Sequence, residues 1–205
     1  MAISHGYVDL QINGYMGVDF NATHLTAEQL RQACETLSAD GHQVWGPPEN
    51  CQFSLYTLAS LGSWLTQFPD PDVVHWNNGL HDIGHNPNRA PVQMPIDVYA
   101  ANLDFIGRQL LDTGAAVVFA TNTPVHPDRP FRDDQWSWRN DEIDAYNDAA
   151  RAVMEDLAIP VNELHAIDSS DIERFLSADQ LHLSDEGKQA CADAVCGAVR
   201  TQVQS

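Results

Sequence analysis

The chain has 205 residues, 43% of them hydrophobic, which is enough to build one domain around a proper core. Ten basic residues against 29 acidic ones give a formal net charge of −19, and Lys188 is the single lysine. So acidic a chain offers no basic footprint for nucleic acid or for an anionic membrane surface. Both a salty habitat and a GC-rich genome that favours Asp and Arg are consistent with this composition.

The predicted elements alternate between apolar runs and helical patterns from one end of the chain to the other. Strands are predicted at 7–12, 42–45, 72–76, 115–121 and 160–164, and helices at 26–40, 54–67, 96–112, 141–157 and 184–203. This alternation predicts one α/β domain over residues 1–205 with a doubly wound sheet. In such sheets ligands bind beyond the carboxyl ends of the strands, here in the loops 13–25, 46–53, 77–95, 121–140 and 165–183.

Neither compartment signals nor cofactor signals are visible in the sequence. The first residues have no basic flank or apolar core of a signal peptide, and no apolar run approaches the roughly 18 residues of a membrane span. We therefore expect a cytoplasmic protein without a cofactor. The cysteines form no Cys-x-x-Cys pair, so we expect reduced, buried thiols. They are Cys34, Cys51, Cys191 and Cys196.

The last loop contains the segment "DQLHLS", in which Asp179 precedes His182 by three residues. A carboxylate at this spacing can turn back, accept a hydrogen bond from Nδ1–H and leave Nε2 free as a base. This pair is therefore a candidate for the acid and base of a hydrolase. The other interpretation is a capping turn with a solvated histidine.

The loop after the third strand, "HWNNGLHDIGH", is dense in polar groups. Asn78, the backbone of Gly79 and His81 are candidate donors to a developing oxyanion. A metal site is the alternative, since His81 and His85 are four residues apart with Asp82 between them and His75 nearby. The glycines and prolines of the loop argue against the helix that would bring those histidines together, so no metal is predicted.

Two further loops carry candidate site residues. In "GPPENCQFS", Asn50 and the backbone of Cys51 could add to an oxyanion site at the start of a helix, where Ser54 is a candidate cap. The loop "TPVHPDRPFRDDQWSWRN" holds arginines and tryptophans, Arg129 and Trp138 among them. Such residues over a catalytic edge could bind a sugar or an acidic substrate, or they could only pack the loop.

From about residue 43 to the end, these segments resemble the SGNH (GDSL-type) hydrolases. "DVVHWNNGLHD" resembles that family's Gly-x-Asn-Asp block, with His81 in place of the asparagine, and "DQLHLSDEG" resembles its Asp-x-x-His block. The resemblance implies a flavodoxin-like, three-layer α/β/α sandwich around a five-stranded, mainly parallel sheet. It also implies hydrolysis of a small ester or acetylated substrate by Asp179 and His182, with Gly79 and His81 in the oxyanion block.

The family's nucleophilic serine belongs to a Gly-Asp-Ser motif after the first strand, and no Gly-Asp-Ser occurs in the chain. Asn13 and Gly14 stand at that place, within "GYVDLQINGYMGVDFN". Residues 6–40 resemble instead the N-terminal part of N-acetylglucosamine-6-phosphate deacetylases of the amidohydrolase superfamily. The sequence therefore predicts a chimera in which a foreign strand–loop–helix replaces the one that carries the serine.

A missing nucleophile predicts weak or absent activity. Ser54 is a tentative substitute nucleophile, and a water activated by His182 is another; a non-catalytic binding protein is the remaining alternative. A foreign first strand could also leave apolar surface exposed and so favour a homodimer.

Overall fold

The computed structural model describes residues 6–9, 43–47 and 50–203. Its strands are β1 (Gly6–Asp9), β2 (Gln43–Trp45), β3 (Val73–Trp76), β4 (Ala116–Ala120) and β5 (Val161–Asn162). They form one sheet in the order β2-β1-β3-β4-β5, and every neighbouring pair is parallel. The predicted α/β class is confirmed. The order places β1 between β2 and β3, inside the sheet rather than at its rim.

Helices connect these strands. They are α1 (Ser54–Gln67), α2 (Leu80–Ile83), α3 (Ile96–Leu111), α4 (Asn140–Asp156), α5 (Leu164–Ser169), α6 (Ile172–Phe175) and α7 (Asp185–Val203). The predicted helix 26–40 lies outside the described residues. None of the helices described has the length and apolar character needed to cross a membrane.

Side chains of the central strands alternate between the two faces of the sheet, because successive residues of a strand point to opposite sides. Val74 and Trp76 of β3 and Phe119 of β4 join a hydrophobic cluster with α1, α3 and α4. The Trp76 and Phe119 rings meet edge to face at 5.0 Å. Val73 and Ala120 join a second cluster with α5 and α7. Both faces of the sheet are thus covered by helices.

The parallel register brings the carboxyl ends of the strands to one edge of the sheet. Asp9 lies opposite His75, and Trp76 lies opposite Phe119. The loops that follow β2, β3, β4 and β5 therefore start at this edge, where the sequence places its candidate site.

The prediction that no helix forms in the loop after β3 is wrong. Residues 80–83 make one helical turn, in which the N–H groups of Asp82 and Ile83 donate to the carbonyl oxygen of Gly79 at 2.7 and 2.8 Å. The turn is tolerated because the first proline of the loop, Pro87, comes after the helix has ended. Likewise, the predicted loop 165–183 contains α5 and α6.

Candidate active site

The candidate acid–base pair, Asp179 and His182, lies in the last loop. The carboxylate of Asp179 accepts a hydrogen bond from His182 Nδ1 at 2.5 Å. Because a carboxylate only accepts, the proton of the neutral imidazole is on Nδ1, and Nε2 is the basic nitrogen. No residue of the described chain forms a hydrogen bond with Nε2. The ring is more than one-third exposed, so a substrate or a water can reach that nitrogen.

Asp179 is held by more than its histidine. Its Oδ1 accepts from Ser177 Oγ at 2.8 Å, from Leu181 N at 3.0 Å and from His182 N at 2.9 Å. Partial burial raises the pKa of Asp179, but the hydrogen bonds from His182, Leu181 and Ser177 outweigh burial and hold the pKa well below its usual range. The carboxylate therefore stays ionised and can stabilise an imidazolium at His182.

The loop after β4 supports this pair from one side. The backbone N–H of His126 donates to the carbonyl oxygen of Gln180 at 3.0 Å, and Arg129 Nε donates to the carbonyl oxygen of Asp179 at 3.4 Å. His126 is itself fixed, because its Nδ1 accepts from Asp128 N and its Nε2 meets Glu173 at 2.9 Å. The position of the acid–base pair thus depends on the loop after β4.

The oxyanion candidates Gly79 and His81 lie in the turn at the carboxyl end of β3. Gly79 has φ +154°, and a Cβ there would lie 2.1 Å from the side-chain nitrogen of Asn122. The same Asn122 side chain accepts a hydrogen bond from Leu80 N at 3.0 Å. Only glycine allows this close approach, which fixes the start of the turn carrying His81.

His81 is half-buried in the first turn of α2. Burial, and then the charge of Arg89, lower its pKa to about 4, so the imidazole is neutral at physiological pH. Arg89 Nη1 also donates to the His81 carbonyl oxygen at 2.6 Å, and the ring meets Trp136 edge-on at 4.7 Å. A neutral imidazole with a fixed backbone can donate one N–H bond without adding a full charge.

The structure buries two of the predicted site residues at this edge. The Asn78 side chain is fully buried: its oxygen accepts from Trp76 Nε1 at 2.7 Å and its nitrogen donates to the Gln52 carbonyl oxygen at 3.3 Å. Its polar atoms are therefore engaged within the protein. The side chain of Ser54 has a similar position. Its hydroxyl is fully buried, donates to Asp82 Oδ1 at 2.7 Å and accepts from Asn102 Nδ2 at 3.0 Å.

Ser54 is also not the residue that caps α1. That role belongs to Asp82, whose carboxylate accepts the Ser54 N–H at 2.9 and 3.1 Å although 28 residues separate them. Burial raises the pKa of Asp82 to about 6, and its bonds to Ser54 oppose the rise. Asp82 therefore joins the loop after β2 to the turn after β3.

The remaining predicted residues lie in the loop after β2, in the N-terminal segment and among the cysteines. Asn50 is half-buried and its side-chain oxygen accepts from Gln52 N at 2.7 Å, while the Cys51 carbonyl oxygen accepts from Thr57 Oγ1 at 3.0 Å. Asn13 and Gly14 lie outside the described residues. The thiols of Cys51, Cys191 and Cys196 are buried as expected, and Cys34 lies outside the described residues.

The residues of the metal alternative do not converge. His85 contacts Glu142 at 2.9 Å, Asp82 caps α1, and His75 on β3 contacts Asn162 at 3.3 Å. Among residues 6–9, 43–47 and 50–203, no group of three His, Cys, Asp or Glu side chains is arranged to hold a metal ion.

A buried asparagine network at this edge was missed by the sequence analysis. Asn122 donates to the Asn78 carbonyl oxygen at 3.2 Å and to Asn147 Oδ1 at 3.1 Å, and Tyr99 donates to the same Asn78 oxygen at 2.7 Å. The one available signal was the polar residue Asn122 directly after the most apolar strand. The network fixes the backbone that leads into the oxyanion turn.

Comparisons with known proteins agree with this architecture. A solved lipase/acylhydrolase from Enterococcus faecalis has a TM-score of 0.75 at 16% identity, over 98% of this chain and 97% of its own. An acetyl xylan esterase has a TM-score of 0.70 at 15% identity, over 95% of this chain and 99% of its own. A psychrotrophic esterase from Pseudoalteromonas sp. has a TM-score of 0.67 at 12% identity, over 98% of this chain and 100% of its own. At such identities the likeness shows the fold.

No curated protein sequence matches the chain significantly. The model of the GDSL-like lipase/acylhydrolase family matches residues 13–190, which includes most of the segment that resembles the deacetylases. A match over most of the chain shows the family. The chain therefore belongs to the GDSL-like lipase/acylhydrolase family.

Proposed function

We propose that the protein hydrolyses small esters, acetyl esters among them, slowly and without an acyl-enzyme intermediate. The observation that carries this proposal is the Asp179–His182 pair, in which Nδ1 is bound to the carboxylate and Nε2 is uncommitted within the described chain. Acetyl esters are the first substrates to test, because one of the structural relatives is an acetyl xylan esterase.

The reaction uses a water molecule in place of the family's serine. His182 Nε2 removes a proton from the water while the water oxygen attacks the carbonyl carbon of the ester. The imidazolium, stabilised by Asp179, then returns the proton to the departing alcohol as the C–O bond breaks. The N–H groups of His81 and Gly79 and the side chain of Asn50 are the proposed donors to the oxyanion.

The absence of Gly-Asp-Ser from the sequence supports the slow rate. We propose that residues 6–40 are a segment of deacetylase-like sequence, with Asn13 and Gly14 at the position of the nucleophile. Hydrolases that lose the nucleophile keep roughly a thousandfold to ten-thousandfold acceleration over water, from substrate binding and oxyanion donors. We expect turnover of that order.

A fluorophosphonate probe and p-nitrophenyl acetate together test this proposal. We expect no covalent adduct by mass spectrometry, no burst of p-nitrophenol, and a slow steady rate that is lower in His182→Ala, where only substrate binding and the oxyanion donors remain. Asp179→Asn should lower the rate as well, because the imidazole loses its orienting acceptor.

Two outcomes would overturn it. A stoichiometric adduct on any serine, lost in His182→Ala, would show a serine nucleophile and an ordinary covalent mechanism. A wild-type rate equal to that of His182→Ala would show that His182 does not act as a base in hydrolysis and would favour a non-catalytic binding protein.

A further inference from the structure

We propose that Arg129, stacked on Trp138, is an anion-binding position beside the acid–base pair, and that the substrate carries a carboxylate close to its ester group. This inference rests on the proposed ester hydrolysis, because it names the class of ester. It gives a role to one arginine and one tryptophan of the loop after β4, which the proposed mechanism does not use.

The contacts of Arg129 place it at the rim of the site. Its Nε donates to the carbonyl oxygen of Asp179, the residue that orients His182. The carbon of its guanidinium lies 5.4 Å from the centroid of the Trp138 ring, so the indole supports one face of the group. Trp138 in turn donates from Nε1 to the Leu80 carbonyl oxygen at 2.6 Å, next to His81. Arg129 therefore contacts both the segment that carries His182 and the tryptophan that is bonded to the turn carrying His81.

The guanidinium keeps hydrogen-bonding capacity for a ligand. Arg108, Arg139 and Arg151 each have a carboxylate within 4.0 Å. In the part of the chain that the structure describes, no carboxylate lies within that distance of Arg129, and no hydrogen bond engages its Nη1 or Nη2. In a chain of 29 acidic residues, an arginine without a carboxylate partner beside the acid–base pair is suited to an external anion.

The planar fork of a guanidinium matches the two oxygens of a carboxylate. The Asp179 carboxylate does not compete for this fork, because Ser177, Leu181 and His182 already donate to it. An ester with a carboxylate a few atoms from its carbonyl could therefore bind Arg129 while its carbonyl carbon lies near His182.

The experiment measures binding first, so that it does not depend on turnover. Monomethyl succinate, and dimethyl succinate as its uncharged match, are titrated into the protein while the imidazole C2–H resonance of His182 is followed by NMR. His182→Ala assigns the resonance. The variants are Arg129→Gln, Arg129→Lys and the control Arg132→Gln, which removes the same charge from the same loop.

We expect monomethyl succinate to shift the His182 resonance of the wild type. Its dissociation constant should rise roughly 5- to 20-fold in Arg129→Gln, the loss of one charge-assisted hydrogen-bonded pair at a partly exposed site. Arg132→Gln should stay within about twofold of the wild type, since only long-range charge is lost. Arg129→Lys keeps the charge without the planar fork, so its dissociation constant should lie between those of the wild type and Arg129→Gln. It also serves as the test if Arg129→Gln does not fold.

Equal weakening in Arg129→Gln and Arg132→Gln would overturn the inference, as would tighter binding of dimethyl than of monomethyl succinate. Hydrolysis separates this inference from the proposed function. Arg129-dependent binding without turnover would leave the anion site standing and overturn the hydrolase. If p-nitrophenyl acetate and mono-p-nitrophenyl succinate were hydrolysed at equal rates, and both rates were unchanged in Arg129→Gln, the hydrolase would stand and the anion site would be overturned.

Discussion

The indole N–H of Trp138 donates to the carbonyl oxygen of Leu80 across 2.6 Å and joins the loop after β4 to the turn that carries His81. Through Arg129 and His126 the same loop also contacts the segment that carries Asp179 and His182. One loop thus sets the distance between the two halves of the candidate site.

Trp138→Phe should lower the free energy of unfolding by roughly 1–3 kcal/mol, because it removes a buried hydrogen bond together with part of the packing. The Leu80 oxygen keeps its second donor, the Gly84 N–H, which limits the loss. Trp136→Phe is the matched control, since Trp136 Nε1 has no hydrogen-bond partner within the described chain. Urea unfolding compares the two, and an equal or larger loss in Trp136→Phe would contradict the role given to the hydrogen bond.

Ser54→Ala separates the structural role of this serine from a catalytic one. The change removes the hydroxyl that donates to Asp82 and accepts from Asn102, so we expect a loss of roughly 1–3 kcal/mol in the free energy of unfolding. The His182-dependent rate on p-nitrophenyl acetate should stay unchanged in the folded variant. Ser63→Ala, at an exposed position of the same helix, should change neither quantity. Loss of the His182-dependent rate in a folded Ser54→Ala would reinstate Ser54 as nucleophile.

Asp168→Asn should change the pH dependence of stability. Burial raises the pKa of Asp168 to about 7, while the thiol of Cys191 opposes the rise as a hydrogen-bond donor at 3.5 Å. The unfolded carboxyl titrates near about 3.9, so the folded state binds the proton more tightly. The stability contributed by the protonated group is present below about pH 4 and is lost as the pH rises to about 7.

Asparagine cannot ionise, so the stability of Asp168→Asn relative to the wild type should increase between pH 4 and 7, by at most about 4 kcal/mol. Thermal or urea unfolding over this pH range measures the difference. Asp171→Asn, at an exposed carboxylate nearby, removes the same charge and is the control. A difference between Asp168→Asn and the wild type that does not vary with pH would show that folding does not raise the pKa of Asp168.

Gly79→Ala should be strongly destabilising, by roughly 3 kcal/mol or more, because its φ of +154° is unfavourable for alanine and its Cβ would overlap the Asn122 side chain. Gly62→Ala is the opposite case: nothing lies within 4 Å of the added Cβ, and the position is inside α1. It should raise the free energy of unfolding by about 0.5–1 kcal/mol. Unfolding curves that show both variants shifted in the same direction would contradict this assignment.

The elements were predictable from local pattern because their periodicity is strong. The helix at 54–67 was predicted with the bounds it has. The predicted strand 72–76 is one residue longer than β3 at its start, and the predicted strand 115–121 is one residue longer than β4 at each end. The pairing of Asp179 with His182 was predictable too, since three residues suffice to close that hydrogen bond. Periodicity and short spacing in the sequence are therefore enough to predict elements and contacts between near neighbours.

The roles of Ser54 and Asn78 were not predictable, because their partners lie far away in sequence. Asp82 reaches Ser54 across 28 residues, and Asn122 reaches the Asn78 carbonyl across 44. A polar residue after a strand has the same local pattern whether it faces a substrate or completes a buried network. Whether such a residue faces a substrate or joins a buried network depends on how α3 and α4 pack over this edge of the sheet.

The contacts that hold His182 have a consequence for variants of the N-terminal segment. The contacts that orient this histidine come from residues 177–182 and from His126 and Arg129, all in the C-terminal part of the chain. We therefore expect the hydrogen bond between Asp179 and His182 to persist when residues 6–40 are exchanged for a segment that contains Gly-Asp-Ser. A gain of esterase activity in that variant would support the proposal that the absence of this motif's serine limits turnover.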